Sequence, residues 1–260
     1  MVCSRKVSAL SMPAPDGRAP KVSPVTSDAP SGPPGPPATS ATTASSAVRW
    51  PVVVFDLDGT LVDTIDLIIA SYQHAFREVL GEEQDEAVIR TWIGQPLIRA
   101  FRTGWPDHAD ELYASYLTWN HANTERLIRT YAGVAEMLAA LRSAGVQVAA
   151  ATSKLRVPAE MALHFTGLED HVGVLVALED TTEHKPHPAP LLLALERLGA
   201  HPSRAAYVGD AVVDVQAARA AGMSAVAVSW GAGARADLVA VAPDVLADTA
   251  ADLQTALLWD

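Results

Sequence analysis

Apolar positions along this chain follow two rhythms, and the change between them divides it. Val52 to Phe55 is an unbroken apolar run, the pattern of a short strand buried on both faces. From Ile65 to Leu80 the apolar residues Ile65, Ile68, Ile69, Tyr72, Phe76 and Val79 recur at helical spacing, and Gly81 supplies a stop. Further helices are expected over Asp85 to Trp92, Leu97 to Arg102 and Asp107 to about Arg129, with breaks at Gly94–Pro96 and Gly104–Pro106. No strand is expected in this stretch. Trp92, Trp105 and Trp119 suggest that it packs around a small core of its own.

After Gly133 the rhythm alternates. Helices are expected at Val134–Ser143, Leu155–Phe165, Pro190–Leu198, Val212–Ala221 and Ala250–Leu258. Strands are expected between them at Val146–Ala151, Val172–Val176, Ala205–Val208, Ser224–Val228 and, at an edge, Asp244–Leu246. Repeated β–α units with short connections predict a parallel sheet covered on both faces. The fold class is therefore α/β: a Rossmann-like core from 49–63 and 132–260, interrupted by a helical insert over 64–131. Residues 1–48 hold nine of the 18 prolines amid Ser, Ala and Thr, so they are expected to form a disordered tail. A transit peptide or an upstream start site ranks behind that reading or beside it, and no chemistry is placed there.

Composition narrows the partners. The net charge is −11, and a tail of +2 leaves −13 for the rest, which argues against nucleic acid or anionic membrane as the main partner. Cys3, the only cysteine, excludes a disulfide framework and a thiolate metal site. The most apolar stretch, Ala132 to Ala151, is interrupted by Glu136, Arg142 and Gln147, so no membrane span is expected. A cytoplasmic location is the default expectation.

Ligands of parallel α/β sheets bind beyond the carboxyl ends of the strands. The residues expected there are Asp56 and Asp58, Thr152 and Lys154, and Asp210 and Asp214, with Lys185 in a following loop. Two carboxylates crowded at one strand end are costly unless a cation or phosphate chemistry uses them. Singly, these residues fit helix caps, turns or solvated surface positions. DxDG also has a partial likeness to a calcium loop, but a strand precedes it and the further acidic spacing does not fit.

Taken together, DLDGTLVDT, Thr152 in ATSK, Lys185 in HKPHP and GDAVVD (209–214) resemble the four motifs of the haloacid dehalogenase-like phosphohydrolase superfamily, in order. The resemblance implies that Asp56 attacks phosphorus and Asp58 serves as acid and base. It implies Mg²⁺ held by the carboxylates of Asp56 and Asp210 and the Asp58 carbonyl, with Asp214 beside them. Thr152, Ser153 and Lys185 would then hold phosphoryl oxygens, and the N–H groups of Gly59 and Thr60 could form an anion nest. Ala211 and Ser153 depart from the usual Ser or Thr and Asn at their positions, which concerns fine positioning only. The insert corresponds to the family's helical cap, which closes over the site and selects the substrate.

Asp58 speaks against the dehalogenase branch, and Thr60 favours phosphatases over β-phosphoglucomutase-like enzymes. WIGQPL and the end of the cap resemble the phosphoglycolate phosphatase group, especially its bacterial inorganic pyrophosphatase relatives. The expected substrate is a small phosphomonoester such as phosphoglycolate, with pyrophosphate and then sugar phosphates as alternatives. Six cap residues could read it: His74, Arg77, Arg99, His121, Arg126 and Arg129, of which one or two are expected to face the site. His184, His187 and His201 read as loop residues. A phospho-accepting regulatory domain is disfavoured by the long insert and by Asp58. A binding protein on an inactive scaffold would need a missing motif residue, and none is missing.

Overall fold

The structure, a computed structural model, describes residues 48–259. The expected tail and Cys3 therefore lie outside the described residues, apart from Val48. Six parallel strands form the central sheet: β1 Val52–Phe55, β4 Gln147–Ala151, β5 Val174–Val176, β6 Ala205–Gly209, β7 Ser224–Val228 and β8 Val245–Ala247. Their order is β5-β4-β1-β6-β7-β8, which puts β1 near the middle between β4 and β6. That placement explains its four consecutive apolar residues, since both of its faces are covered.

Alternate residues of β1 feed opposite cores. Val53 and Phe55 pack with helices α5 (Val134–Ser143), α6 (Arg156–Phe165) and α10 (Ala250–Leu258). Val52 and Val54 pack with α7 (Ala189–Leu198) and α8 (Val212–Ala221). Full burial of side chains such as Phe55 and Leu138 stabilises the fold by about 1.5–3 kcal/mol each. The core thus holds the strand ends rigidly, and the functional side chains stand on them.

The insert contains α1 (Ile65–Leu80), α2 (Glu86–Arg90), α3 (Leu97–Gly104) and α4 (Ala109–Leu127). Its core is aromatic, with Tyr72 and Tyr116 ring centroids 4.9 Å apart and Phe76 and Trp105 4.7 Å apart. A buried hydrogen bond from Asn120 Nδ2 to Ser71 Oγ (3.0 Å) fixes the long helices α1 and α4 against each other. Trp92 and Trp105 belong to this core, whereas Trp119 does not: it packs at the edge of the sheet's core and stacks on His74.

One expectation about the insert is corrected. It ends in a strand, β3 (Arg129–Thr130), paired antiparallel with β2 (Val62–Asp63), so that the two chain crossings into the insert are tied together. Strands of two residues are too short for periodicity to register. A short helix, α9 (Arg235–Ala240), was also not expected. Among the described residues no helix is long and apolar enough to cross a membrane.

Candidate active site

Asp56 follows β1 directly, and its N–H donates to Val208 O at 2.8 Å, which continues the ladder between β1 and β6 one residue further. Its carboxylate is buried, and Lys185 Nζ lies 2.9 Å from Oδ2. The other oxygen, Oδ1, is buried without a hydrogen-bond partner. Lys185 also donates to Asp214 Oδ1 at 2.7 Å and to the Tyr207 hydroxyl at 3.1 Å. Tyr207 in turn donates to Ala151 O at 2.9 Å, linking β6 to β4 behind the site.

Asp210 is placed by the turn after β6. Thr60 Oγ1 donates to its Oδ1 at 3.3 Å, and the N–H of Ala232 donates to its Oδ2 at 2.6 Å. The chain approaches this carboxylate so closely that only glycine fits on two sides. A Cβ on Gly59, which has φ 77°, or on Gly231 would overlap the Asp210 carboxylate. Asp214, in the first turn of α8, accepts from the N–H of Ala211 at 3.0 Å, which occupies its Oδ2.

Oxygen atoms of Asp56, Asp210 and Asp214 lie within 4.8 Å of one another, all buried. With one ammonium, Lys185, among three carboxylates, the cluster is two charges short of neutral when ionised. Burial, with Asp214 adding to it and Lys185 opposing it, pushes Asp56 up to about 7. Burial together with Asp214 and Asp56 pushes Asp210 up to about 8. An all-oxygen donor set and a deficit of two charges fit a hard divalent cation.

Asp58 is arranged differently. Lys154 Nζ lies 2.9 Å from its Oδ1 and 3.1 Å from its Oδ2, and Thr64 Oγ1 donates to Oδ1 at 2.7 Å. Both carboxylate oxygens are therefore held. Beside them a cavity separates core from cap. Asp56, Asp58, Thr152, Ser153 and Lys154 line its floor, and its roof is Ile68, Tyr72, Trp92, Gln95, Tyr113, Tyr116 and Asn120. Ser153 Oγ is buried there without a partner. Gly94 of the cap stands beside the core residue Ala211, with room for a Cβ 3.6 Å from that of Ala211.

The seven core residues of the sequence reading, Asp56, Asp58, Thr152, Ser153, Lys185, Asp210 and Asp214, converge on this floor or directly beneath it. The nest does not form as expected. The N–H of Gly59 donates to Val62 O and that of Thr60 to Leu57 O, so both are consumed by the turn, and the Thr60 hydroxyl goes to Asp210.

The cap residues mostly point elsewhere. His74 pairs with Glu78 on an outer groove, Arg77 pairs with Glu83, and Arg126 is exposed and bonds Asn123. Arg129 folds onto backbone carbonyls at the cap's end, and Arg99 lines a separate crevice between the cap and the loop that carries Lys185. His121 comes nearest: its Nε2 is buried without a partner, and burial and the charge of Lys154 lower its pKa. No cap lysine, arginine or histidine lines the cavity. Three contributors are not among the predicted site residues: Tyr207, Thr64 and the loop 229–234, whose Ala232 holds Asp210 and whose Trp230 Nε1 donates to Thr60 O at 3.1 Å. Gly231 and Gly233, just past a strand end, were the available signal for that loop.

A cation site beside an unpartnered carboxylate oxygen, with ammonium groups around a small cavity, is the equipment of a phosphoryl-transfer enzyme. The pattern of the haloacid dehalogenase-like hydrolases matches residues 53–228. Pyrophosphatase PpaX of Bacillus velezensis is 37% identical over 205 residues, covering 79% of this chain and 95% of that protein. Pyrophosphatase PpaX of Bacillus pumilus is 36% identical over 201 residues, covering 77% and 93%. A crystal structure described as a predicted phosphoglycolate phosphatase from Haemophilus somnus matches with a TM-score of 0.73 at 25% identity, over 80% of this chain and 98% of that one. The chain belongs to the haloacid dehalogenase-like hydrolases, as an enzyme of the phosphatase type.

Proposed function

We propose that this enzyme hydrolyses inorganic pyrophosphate with Mg²⁺ as its cation. The observation that carries the reading is likeness along nearly the whole length of proteins named pyrophosphatase PpaX. It reverses the order expected from sequence, where phosphoglycolate stood first and pyrophosphate second. The cavity agrees with a small inorganic substrate. Its roof brings no cation to meet phosphoglycolate's carboxylate, and its floor is rich in groups suited to phosphate.

In this reading the helical cap spans 64–131 and the core 49–63 and 132–260. The carboxylates of Asp56 and Asp210 and the carbonyl of Asp58 would hold Mg²⁺, with Asp214 adjoining. When bound, the ion neutralises charge on the phosphoryl oxygens and on the buried carboxylates. Lys185 aligns Asp56 through Oδ2 and leaves Oδ1 for attack. A carboxylate oxygen of Asp56 bonds to phosphorus as the P–O bond to the bridging oxygen breaks. The bridging oxygen departs with the leaving phosphate and takes a proton from Asp58. Water then attacks the phosphorus of the aspartyl-phosphate, Asp58 takes a proton from it, and phosphate leaves with Asp56 restored as a carboxylate. Thr152 and Ser153 donate to the phosphoryl oxygens as charge grows on them, and Lys185, held by Asp56, Asp214 and Tyr207, offsets that charge from beneath the floor.

Phosphate release from pyrophosphate, phosphoglycolate and sugar phosphates, each with and without Mg²⁺, tests this reading. Pyrophosphate is expected to exceed phosphoglycolate in kcat/KM by ~100-fold, about 2.7 kcal/mol. A preference for phosphoglycolate by a similar factor would restore the phosphomonoesterase reading.

A further inference from the structure

Asp58 has no oxygen to spare. Lys154 Nζ engages both of its carboxylate oxygens, at 2.9 and 3.1 Å, and Thr64 adds a third bond at 2.7 Å. The pair is largely withdrawn from water, with Lys154 only 9% exposed. A carboxyl group so held cannot also serve a leaving oxygen. Yet both partners line the substrate cavity, and next to Lys154 stands Ser153, whose buried hydroxyl has no partner. Across from them the cap supplies His121, whose Nε2 is likewise buried and unpartnered and which feels the charge of Lys154. Two polar groups thus stand together on the cavity floor, Lys154 clamping Asp58 and Ser153 with free bonding capacity, while His121 feels the charge of Lys154 without lining the cavity. Apart from Lys154, the lysine beneath the floor that pairs with Asp56, Lys185, is already shared between two carboxylates.

We infer that Lys154 is a clasp on Asp58 that opens only when the substrate carries a second anionic group. The far phosphate of pyrophosphate, entering beside Ser153, takes the Lys154 ammonium in exchange, and Asp58 is freed to turn to the bridging oxygen. A substrate without a second anionic group has nothing to offer Lys154, so Asp58 stays held and turnover is slow. The clasp thereby couples binding of the non-reacting half of the substrate to rate, since that interaction releases the acid that the transition state needs. Lys154 acts here as a positioning and specificity residue. The inference rests on the reading of Asp58 as acid and base.

The test compares pyrophosphate with methyl phosphate, a smaller substrate with one anionic group, in Lys154→Met and Thr64→Val. In Lys154→Met the ratio of the two kcat/KM values is expected to fall ~100-fold, about 2.7 kcal/mol, with KM for pyrophosphate raised and kcat for methyl phosphate increased. Thr64→Val loosens the hold without removing the cation, so kcat for methyl phosphate is expected to rise while KM for pyrophosphate changes little. Equal loss on both substrates, or a loss confined to pyrophosphate with no gain for methyl phosphate in either variant, overturns the clasp. If Lys154→Met fails to fold, Lys154→Gln and Thr64→Val carry the same comparison. Asp56→Asn separates the two claims: if it still turns over either substrate, the proposed function fails, whatever Lys154 does.

Discussion

Lys185 Nζ lies 2.9 Å from Asp56 Oδ2, and both side chains are almost wholly buried. The lysine is bound still more closely to Asp214, at 2.7 Å, so two buried carboxylates share its ammonium. Burial of Lys185 is more than offset by Asp214 and Asp56, which raise its pKa well above the usual lysine value and keep it charged. Replacing Lys185 by Met should therefore cost both function and fold. Breaking a buried pair from one side typically costs about 3–5 kcal/mol, and losing a charge stabiliser of the reacting group about 10²–10³ in kcat. Urea unfolding and steady-state phosphate release read the two losses separately.

Asp210→Asn should have the opposite effect on stability. Its carboxylate is costly to ionise because of burial and because of Asp214 and Asp56. The neutral amide removes that cost, so the cation-free protein at pH 8 should melt at a higher temperature than wild type. The rise in melting temperature that Mg²⁺ gives wild type should be lost. Thermal melts in EDTA and in Mg²⁺ check both halves.

Stability of the cation-free protein should fall as pH rises. Asp56 and Asp210 titrate at about 7 and about 8 in the folded state, whereas both release their protons near 4 when unfolded. Between those values the folded state binds more protons than the unfolded one, so stability declines with pH. Their contribution is fully present below about 4 and is lost through about 7 to 8. Melting temperatures in EDTA from pH 5 to 9 should drop across this window, and the gain from Mg²⁺ should grow. A flat or rising profile in EDTA would contradict the assignment.

Gly231→Ala should inactivate the enzyme. The added Cβ overlaps the Asp210 carboxylate and the Gly59 carbonyl oxygen, and neither is the far end of a flexible side chain free to swing away. Asp210 must then shift from its position beside Asp56. Cation affinity measured by calorimetry should fall by at least ~10-fold, about 1.4 kcal/mol.

Much of the fold could be read from spacing. The bounds of β1, α1, α5, α8, β7 and α10 are those that the apolar rhythm predicts, because the helices each pack an apolar face against a core and the two strands are buried on both faces. The β2–β3 ribbon could not be seen, since two-residue strands have no period. At the site, strand ends identified Asp56, Asp58, Thr152, Asp210 and Asp214, because a parallel sheet brings those ends to one rim. The partnership of Lys154 with Asp58 joins residues 96 positions apart, and no local pattern announces it. Cap side chains were the least legible. Which helical face meets the cavity depends on how α1 and α4 pack through Ser71 and Asn120, so His74 and Arg77 turned out to face outward.

The central claim is that Asp56 attacks phosphorus with the oxygen Lys185 leaves free. Phosphate release from pyrophosphate by Asp56→Asn, with Mg²⁺ and alongside a thermal melt of the same sample, tests it most directly. The account predicts a folded protein with no turnover above background, because the amide keeps the shape and loses the nucleophile. Hydrolysis at a rate near wild type would contradict it.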